Sequence, residues 1–450
     1  MEKRPPRPPV SDDTIYALSS GRVPSAIAVV RISGPKARIG LEMIAGTIPE
    51  PRRASRATFR EPASGDVIDD GLVLWFPAPG SETGEDVAEL HLHGGRAILS
   101  AVFQVFGAID GFRPAQAGEF TRRALANNKL DLAAVEGLGD LVAAETAAQR
   151  RQAMAQYRGA LSREVEAWRA RLIEAMSLVE AAIDFSDEGD VPQNLLAPAA
   201  EIARELGEEI KRALDDGRRG ERLRDGFVVA IAGAPNVGKS TLLNRLAARE
   251  VAIVSALPGT TRDAIEVALD LAGVPVVLVD TAGVRDTSDP VEAEGVRRAL
   301  ARAQSADLVL WLIDASGGAP ERAATSERSI EVWTKSDVLD SEAQRTLSEQ
   351  GSIRISAKTG AGMDELIALL AREASALAGE PALVTRERQR HALKEAVERL
   401  GSALQIAVAG QEELFAEELR LAARALGRVT GAVGVEEVLD AIFRNFCVGK

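Results

Sequence analysis

Gly233-Ala-Pro-Asn-Val-Gly-Lys-Ser240 follows the pattern G-x-x-x-x-G-K-[ST]. Glycines at those places let a loop wrap phosphate oxygens with backbone N–H groups, and the helix that follows adds the positive end of its dipole. Lys239 then reaches the β and γ phosphates, and Ser240 offers its hydroxyl to Mg²⁺. The apolar run Phe227 to Ala232 precedes the pattern and a helical run from Thr241 follows it, which is the strand-loop-helix order such a loop requires. Asp280-Thr281-Ala282-Gly283 closes a second apolar run, Val276 to Val279. A carboxylate at that strand end can hold the Mg²⁺ shell while the Gly283 N–H senses a γ-phosphate, the chemistry of a nucleotide-dependent switch.

Thr334-Lys335-Ser336-Asp337 and Ser356-Ala357-Lys358 follow two further strand-like runs. Together they resemble the guanine-reading loops of translation-factor-type GTPases. The resemblance implies GTP as ligand, with the Asp337 carboxylate accepting from the N1–H and 2-amino group of guanine. The family pattern begins with Asn where this chain has Thr334, so one contact to the base is altered. With Asn236, Val237, Gly238 and Thr241 of the first loop, the expected nucleotide contacts extend to Ser255-Ala256-Leu257-Pro258-Gly259-Thr260-Thr261, whose Thr261 completes the Mg²⁺ shell beside Ser240.

Val284 stands where many small GTPases carry a glutamine that orients the attacking water. That hydrophobic residue, Asn236 and the Gly259-Thr-Thr-Arg262 loop resemble GTPases activated by dimerisation around a potassium ion. The resemblance implies K⁺ ligation by Asn236, Ser255, Leu257 and Thr260, with Ser255 and Leu257 giving backbone carbonyls. It also gives Glu292 the task of positioning water, so that Glu292, Lys239 and Asn236 form the expected catalytic set. A solvated helical Glu is the plain alternative for Glu292.

The elements that must position these residues follow from composition and texture. The chain has 450 residues, a net charge of −13 and 46% apolar residues, enough for two to four domains. One cysteine excludes an internal disulfide framework and fits a reducing cytoplasm. No apolar run is long enough to span a membrane, and the Pro- and Arg-rich start lacks the apolar core of a signal peptide. Short runs rich in Val, Ile and Leu (Ala26 to Ile32, Gly71 to Phe76, Val87 to His93) indicate a mixed α/β region over 1–125. Ala, Leu, Glu and Arg at helical spacing mark a helical domain over 126–222 that resumes over 378–450. Between the two halves, over 223–377, buried strands alternate with helices, which predicts an inserted P-loop domain with a mainly parallel sheet. The fold class is therefore multidomain, α/β plus all-α.

The flanks carry the most specific signal. Asp13-Thr-Ile-Tyr-Ala-Leu-Ser19, Val30-Arg-Ile-Ser-Gly34, Gly84-Glu-Asp-Val-Ala-Glu-Leu90, Pro114-Ala-Gln-Ala-Gly-Glu-Phe-Thr-Arg-Arg-Ala124, Asn128-Lys-Leu-Asp-Leu132 and the segment Phe446-Cys-Val-Gly-Lys450 resemble the MnmE (TrmE) tRNA-modification GTPases. The likeness covers essentially the whole chain. It implies a homodimer joined through a folate-binding N-terminal domain, working with the flavoprotein MnmG (GidA) on the wobble uridine of certain tRNAs. The pair would attach an aminomethyl or carboxymethylaminomethyl group at C5, with 5,10-methylene-tetrahydrofolate as one-carbon donor and 5-formyl-tetrahydrofolate as its analogue. Arg31, Glu89, Lys129 and Lys450 are the expected folate contacts. Against this stands a regulatory GTPase of the ribosome-assembly type, with no modification chemistry.

Three residues stay open at this point. His91 and His93 alternate on one strand, a spacing open to a metal, although no Cys or third His lies nearby. Cys447, beside Lys450, reads equally as nucleophile, redox thiol or packing residue. The nine lysines stand against 45 arginines, and Lys239, Lys335, Lys358, Lys129 and Lys450 all fall in expected sites, where a compact point charge differs from a planar guanidinium.

Overall fold

The computed structural model describes residues 12–184, 196–249, 251–253, 266–280, 306–317, 328–339, 353–375, 379–408, 411–433, 439, 442–443, 446 and 448–449. The chain forms two compact units, one made of 1–139, 156–209 and 391–450, the other of 140–155 and 210–390.

The first unit opens with a six-stranded sheet in the order β3-β4-β5-β2-β1-β6. Its strands are β1 (Thr14–Leu18), β2 (Ser25–Ser33), β3 (Ser55–Arg60), β4 (Val67–Phe76), β5 (Val87–Gly94) and β6 (Phe112–Pro114), with helices α1 (Ala37–Ala45), α2 (Arg96–Gly107) and α3 (Glu119–Ala126). All neighbours are antiparallel except β1 and β6. Alternation decides the faces. Val30, Ile32, Leu90 and Leu92 point to one side, where they pack with Leu41, Ile44, Val102 and Phe106 of the two helices. Each such side chain taken fully out of water contributes about 2 kcal/mol. On the opposite face Ile15 and Ala17 pack with Ala115 and Phe120, while Arg31, Glu89, His91 and His93 share that face further along the sheet.

A buried ion network fixes α3 against these strands. The Arg123 side chain, 6% exposed, donates to Glu85 at 3.0 Å and to Asp13 at 2.8 Å. Arg113 reaches Glu119 and Asp13, and Ser33 Oγ donates to Glu85 at 2.7 Å. Burial pushes the Glu119 carboxyl up, but hydrogen bonds from Arg113 and from the Gln116 N–H, with the charges of Arg113 and Arg123, outweigh it and hold the group below the ordinary range.

The helical part continues with α4 (Leu132–Ala143), α5 (Ala147–Tyr157), α6 (Ala160–Asp184) and α7 (Leu196–Asp225). Leu161, Val165, Trp168, Leu172, Ala175 and Val179 form one buried stripe on α6. That spacing suits a helix-on-helix seam.

The second unit holds the parallel sheet, in the order β12-β11-β10-β7-β9-β8. It comprises β7 (Phe227–Gly233), α8 (Lys239–Ala247), β8 (Glu266–Leu271), β9 (Val274–Asp280), β10 (Leu308–Asp314), β11 (Ser329–Thr334), β12 (Ile353–Arg354) and α9 (Met363–Ala374). Only β8 runs antiparallel to its neighbour. Val229, Ile231, Val276, Leu278, Leu310 and Leu312 are fully buried or nearly so, as expected of strands covered on both faces. The first turn of α5 belongs here too. The Ala148 N–H donates to Gly273 O at 3.0 Å, Gln152 Nε2 to Gly220 O at 2.8 Å, and Ala148 is part of the sheet's apolar cluster. Gly220 can only be glycine, because a Cβ there would sit 2.3 Å from Val384 O.

The chain closes with α10 (Glu387–Val408) and α11 (Glu412–Thr430), the latter lying along α6 within the first unit. Phe443 enters a cluster with Leu125, Leu132 and Val135, under the guanidinium of Arg122 at 5.2 Å. Val448 then forms an antiparallel bridge with Ala117, and Ser19 Oγ donates to Gly449 O at 2.9 Å.

Replacing Arg123 with Met should destabilise the first unit by about 3 kcal/mol, because Glu85 loses the cation that neutralises its buried charge, while Glu119 keeps Arg113. Calorimetry of the two proteins measures this. The stability drawn from the depressed Glu119 carboxyl is fully present above its ordinary value and is lost as pH falls through the folded one. Glu119→Gln should therefore flatten the acid limb of the unfolding profile.

Candidate functional site

The sequence-identified phosphate loop forms between β7 and α8. Two backbone features turn it: Asn236 adopts a left-handed φ of 63° and Gly238, which precedes the helix, a φ of 105°. The Val237 side chain, 1% exposed, plugs the loop into the apolar core. Lys239 curls back over the loop, its Nζ donating to Gly233 O at 2.8 Å and Ala234 O at 2.9 Å. The ammonium is thus held inside the loop, at the place where phosphate oxygens would replace two carbonyls as acceptors. Thr241 is exposed on the first turn of α8.

Ser240 Oγ donates to Asp280 Oδ2 at 3.2 Å, and Asp280 is 2% exposed at the end of β9. A hydroxyl and a carboxylate oxygen side by side are a hard donor set suited to Mg²⁺. Thr261, Ser255, Ala256, Leu257, Pro258, Gly259, Thr260, Thr281, Ala282, Gly283, Val284 and Glu292 lie outside the described residues.

The two loops expected to read a base come together at the neighbouring strand ends. Asp337 lies in a short 3₁₀ turn, Ser336–Val338, entered through Lys335 at φ 55°. Ser356 Oγ donates to Asp337 Oδ1 at 2.6 Å, and the Ser336 N–H donates to Ile355 O at 3.1 Å. The Ser356 hydroxyl, a backbone N–H and the charge of exposed Lys358 hold the Asp337 carboxyl below its ordinary range. The turn carrying Ser356, Ala357 and Lys358 closes at Gly362, where a Cβ would meet Arg354 O at 1.8 Å. Lys335 Nζ donates to Asp314 Oδ2 at 2.5 Å. Burial pushes Asp314 up, and the bonds from Lys335 and Ser316 more than offset it. Asp314 is legible in the sequence as the end of a strand run, Asp307 to Asp314, but not as a member of the site. Thr334, 4% exposed, places its hydroxyl 2.7 Å from Val237 O.

In the first unit, Arg31 and Glu89 are direct cross-strand partners on β2 and β5, with the guanidinium 2.9 Å from Glu89 Oε1. Arg31 also meets Glu82 at 3.1 Å and the Phe120 ring at 5.7 Å. Glu82 is an addition to the expected set; the Ser81–Asp86 loop offers no sequence pattern that singles it out. The Lys129 chain lies beside Gly84 of that same loop, 3.3 Å from where a Cβ would stand. Arg31 and Lys129 thus border one loop of the first unit and Glu89 joins them through Arg31, whereas Lys450 and Cys447 are outside the described residues. His93 Nδ1 is 2.8 Å from Asp69 and His91 Nε2 is 3.6 Å from Glu89. Among the described residues no group of three or more His, Cys, Asp or Glu could hold a metal ion.

The profile of the family described as "MnmE helical domain" matches residues 132–447, and that of "GTP-binding protein TrmE N-terminus" matches 14–129. A tRNA modification GTPase MnmE of Azorhizobium caulinodans is 59% identical over 441 residues, 98% of this chain and 99% of that protein. One from Bradyrhizobium sp. (strain ORS 278) is 54% identical over 444 residues, covering 98% and 99%. Another, from Rhodopseudomonas palustris (strain BisB18), is 54% identical over 446 residues, covering 97% and 99%.

Removing the Ser356 hydroxyl takes away the largest stabiliser of the Asp337 anion. Ser356→Ala should raise the Asp337 titration midpoint toward that of an ordinary aspartate, read by carboxyl-resolved NMR; an unmoved midpoint would deny the hydrogen bond its role.

Proposed function

The chain belongs to the family of MnmE tRNA modification GTPases, and we propose that it is a potassium-dependent member acting with a flavoprotein partner on the wobble uridine. It is a GTP hydrolase that acts in tRNA modification. The observation that carries the reading is the assembly of Lys239, Ser240, Asp280 and Asp337 at adjacent strand ends in a chain related to this family from its N-terminal to its helical segment.

In this reading GTP lies along the ends of the parallel strands. Asp337, kept ionised by Ser356, accepts from the N1–H and 2-amino group of guanine. Lys239 exchanges the Gly233 and Ala234 carbonyls for β and γ phosphate oxygens, an exchange its flexible stem allows without loss of a hydrogen bond. Ser240 and Thr261 hold Mg²⁺, with Asp280 supporting the shell through the Ser240 hydroxyl. Glu292 orients the attacking water. Asn236, Ser255, Leu257 and Thr260 would hold K⁺, which supplies positive charge between the β and γ phosphates. Asn236 suits that task because its left-handed backbone sets it on the exposed rim of the loop.

The one-carbon half of the reaction is assigned to the N-terminal region. Arg31, Glu89, Lys129 and Lys450 would hold methylene-tetrahydrofolate, with Glu89 on the pterin amide edge and the cations on the glutamate tail. Two of these, Arg31 and Glu89, are already paired, so a ligand that takes the Glu89 oxygens leaves Arg31 with Glu82. MnmG, tRNA and a second copy of this chain are the proposed partners, and the N-terminal region the proposed dimer contact. The four proposed segments are 1–125, 126–222, 223–377 and 378–450. Among the described residues no helix is long and apolar enough to cross a membrane, and the single cysteine accords with the cytoplasm as the place of action. The ribosome-assembly alternative draws no support from a likeness that runs through the N-terminal and helical segments.

GTP hydrolysis should run at least about tenfold faster in KCl than in NaCl, since the ion takes the place of an arginine finger; equal rates would remove the potassium assignment. Mass spectrometry of wobble uridine in tRNA from a deletion strain should show the C5 substituent missing. Its presence at the normal level would overturn the functional reading.

A further inference from the structure

We infer that Thr334 is a positioning residue that locks the base-reading loop to the phosphate loop, and that its single hydroxyl proton is committed to that tie instead of to the base. This rests on the nucleotide reading given above and deepens it.

Thr334 is the last residue of β11, buried, with Oγ1 2.7 Å from Val237 O and 3.1 Å from Ile313 O. A hydroxyl donates one proton, so it bonds one carbonyl at a time, and the shorter distance favours Val237. A side-chain amide, as in the Asn of the resembling pattern, carries two N–H donors and can serve two acceptors at once. Thr334 therefore does with one donor the task that ties the two loops, and has none left for a ligand.

The acceptor is well placed for consequence. Val237 O belongs to the last residue before Gly238, whose φ of 105° turns the chain into α8, where Lys239 and Ser240 begin the helix. On the other side, Thr334 is followed at once by Lys335, bonded to Asp314, and by the turn that bears Asp337. A nucleotide bound in this site touches the phosphate loop with one end and the Asp337 turn with the other. The spacing between those two loops is part of its fit, and the Thr334 bond spans 97 residues of sequence to set it. Asp337 is held separately, by Ser356. Loosening the tie should therefore weaken the grip on any guanine nucleotide while leaving the choice of base untouched.

The test compares dissociation of fluorescent GDP and of a non-hydrolysable GTP analogue from the full-length protein. Thr334→Val keeps the branched shape and removes the hydroxyl. It should release both nucleotides about tenfold faster, with guanine over xanthine preference as in the parent and a melting temperature without nucleotide lowered only by the few degrees that one lost buried hydrogen bond costs. Thr334→Ser and Thr334→Ala lose the same methyl group and differ only in the hydroxyl; Ser should dissociate near the parent rate and Ala near that of Val. Equal rates for Ser and Ala, or a changed base preference in Val, would overturn the assignment. Asp337→Asn is the separate control. It should shift preference toward xanthine, and a failure there would sink the base-loop reading while leaving the Ser and Ala comparison to judge Thr334.

Discussion

Four strands pointing the same way set the whole nucleotide site. β7 ends at Gly233, β9 at Asp280, β10 at Asp314 and β11 at Thr334, and the parallel registers bring these ends to one edge: Gly233 stands opposite Leu312, Asp280 opposite Ile231, Asp314 opposite Thr334. At such an edge the strands leave as loops, and between neighbours whose connections run to opposite sides a crevice opens for a ligand. Each functional group at this site is either the last residue of a strand or lies within a few residues of one. The apolar core formed by the strand bodies is what makes that edge rigid enough to hold polar groups a few ångströms apart.

That dependence explains what could be read in advance. Runs such as Phe227 to Ala232 and Val276 to Val279 are uniformly apolar because nearly every side chain on them is buried, so they stand out in sequence. β3 and β8 sit at sheet edges, and Arg in the one and Glu and Asp in the other interrupt their apolar residues within only six positions, so neither stands out as a strand in the sequence. β1 escaped because it is five residues long and ends among Ser and Gly. The phosphate and base loops were legible since their chemistry is carried by adjacent residues. The Thr334 to Val237 bond was not, and neither was the pairing of Asp314 with Lys335, because both join residues far apart in the chain whose proximity is a product of folding.

The scarcity of lysine acquires a physical meaning in this arrangement. Arginines do the fixed work: Arg123 and Arg113 knit buried carboxylates around α3, and Arg219 grips Asp216 with two bonds of 2.7 Å. A planar fork held at several points resists movement. Lys239 and Lys335 are instead single points on flexible stems, each resting on oxygens of its own neighbourhood. One resists exchange of partners and the other permits it, which suits Arg123, Arg113 and Arg219 to the frame and Lys239 and Lys335 to the loops of the nucleotide site.

The meeting of Ser19 and Ala117 with Gly449 and Val448 bears on the order in which the molecule is made. Ser19 leaves the ribosome 430 residues before the group it bonds. Throughout translation the first sheet must therefore persist without this strap. Domains folding as they emerge is the usual course, and here the N-terminal region can reach a near-native state early but is completed only when the last segment arrives. The strap thus makes contacts of the first sheet depend on residues synthesised 430 positions after Ser19.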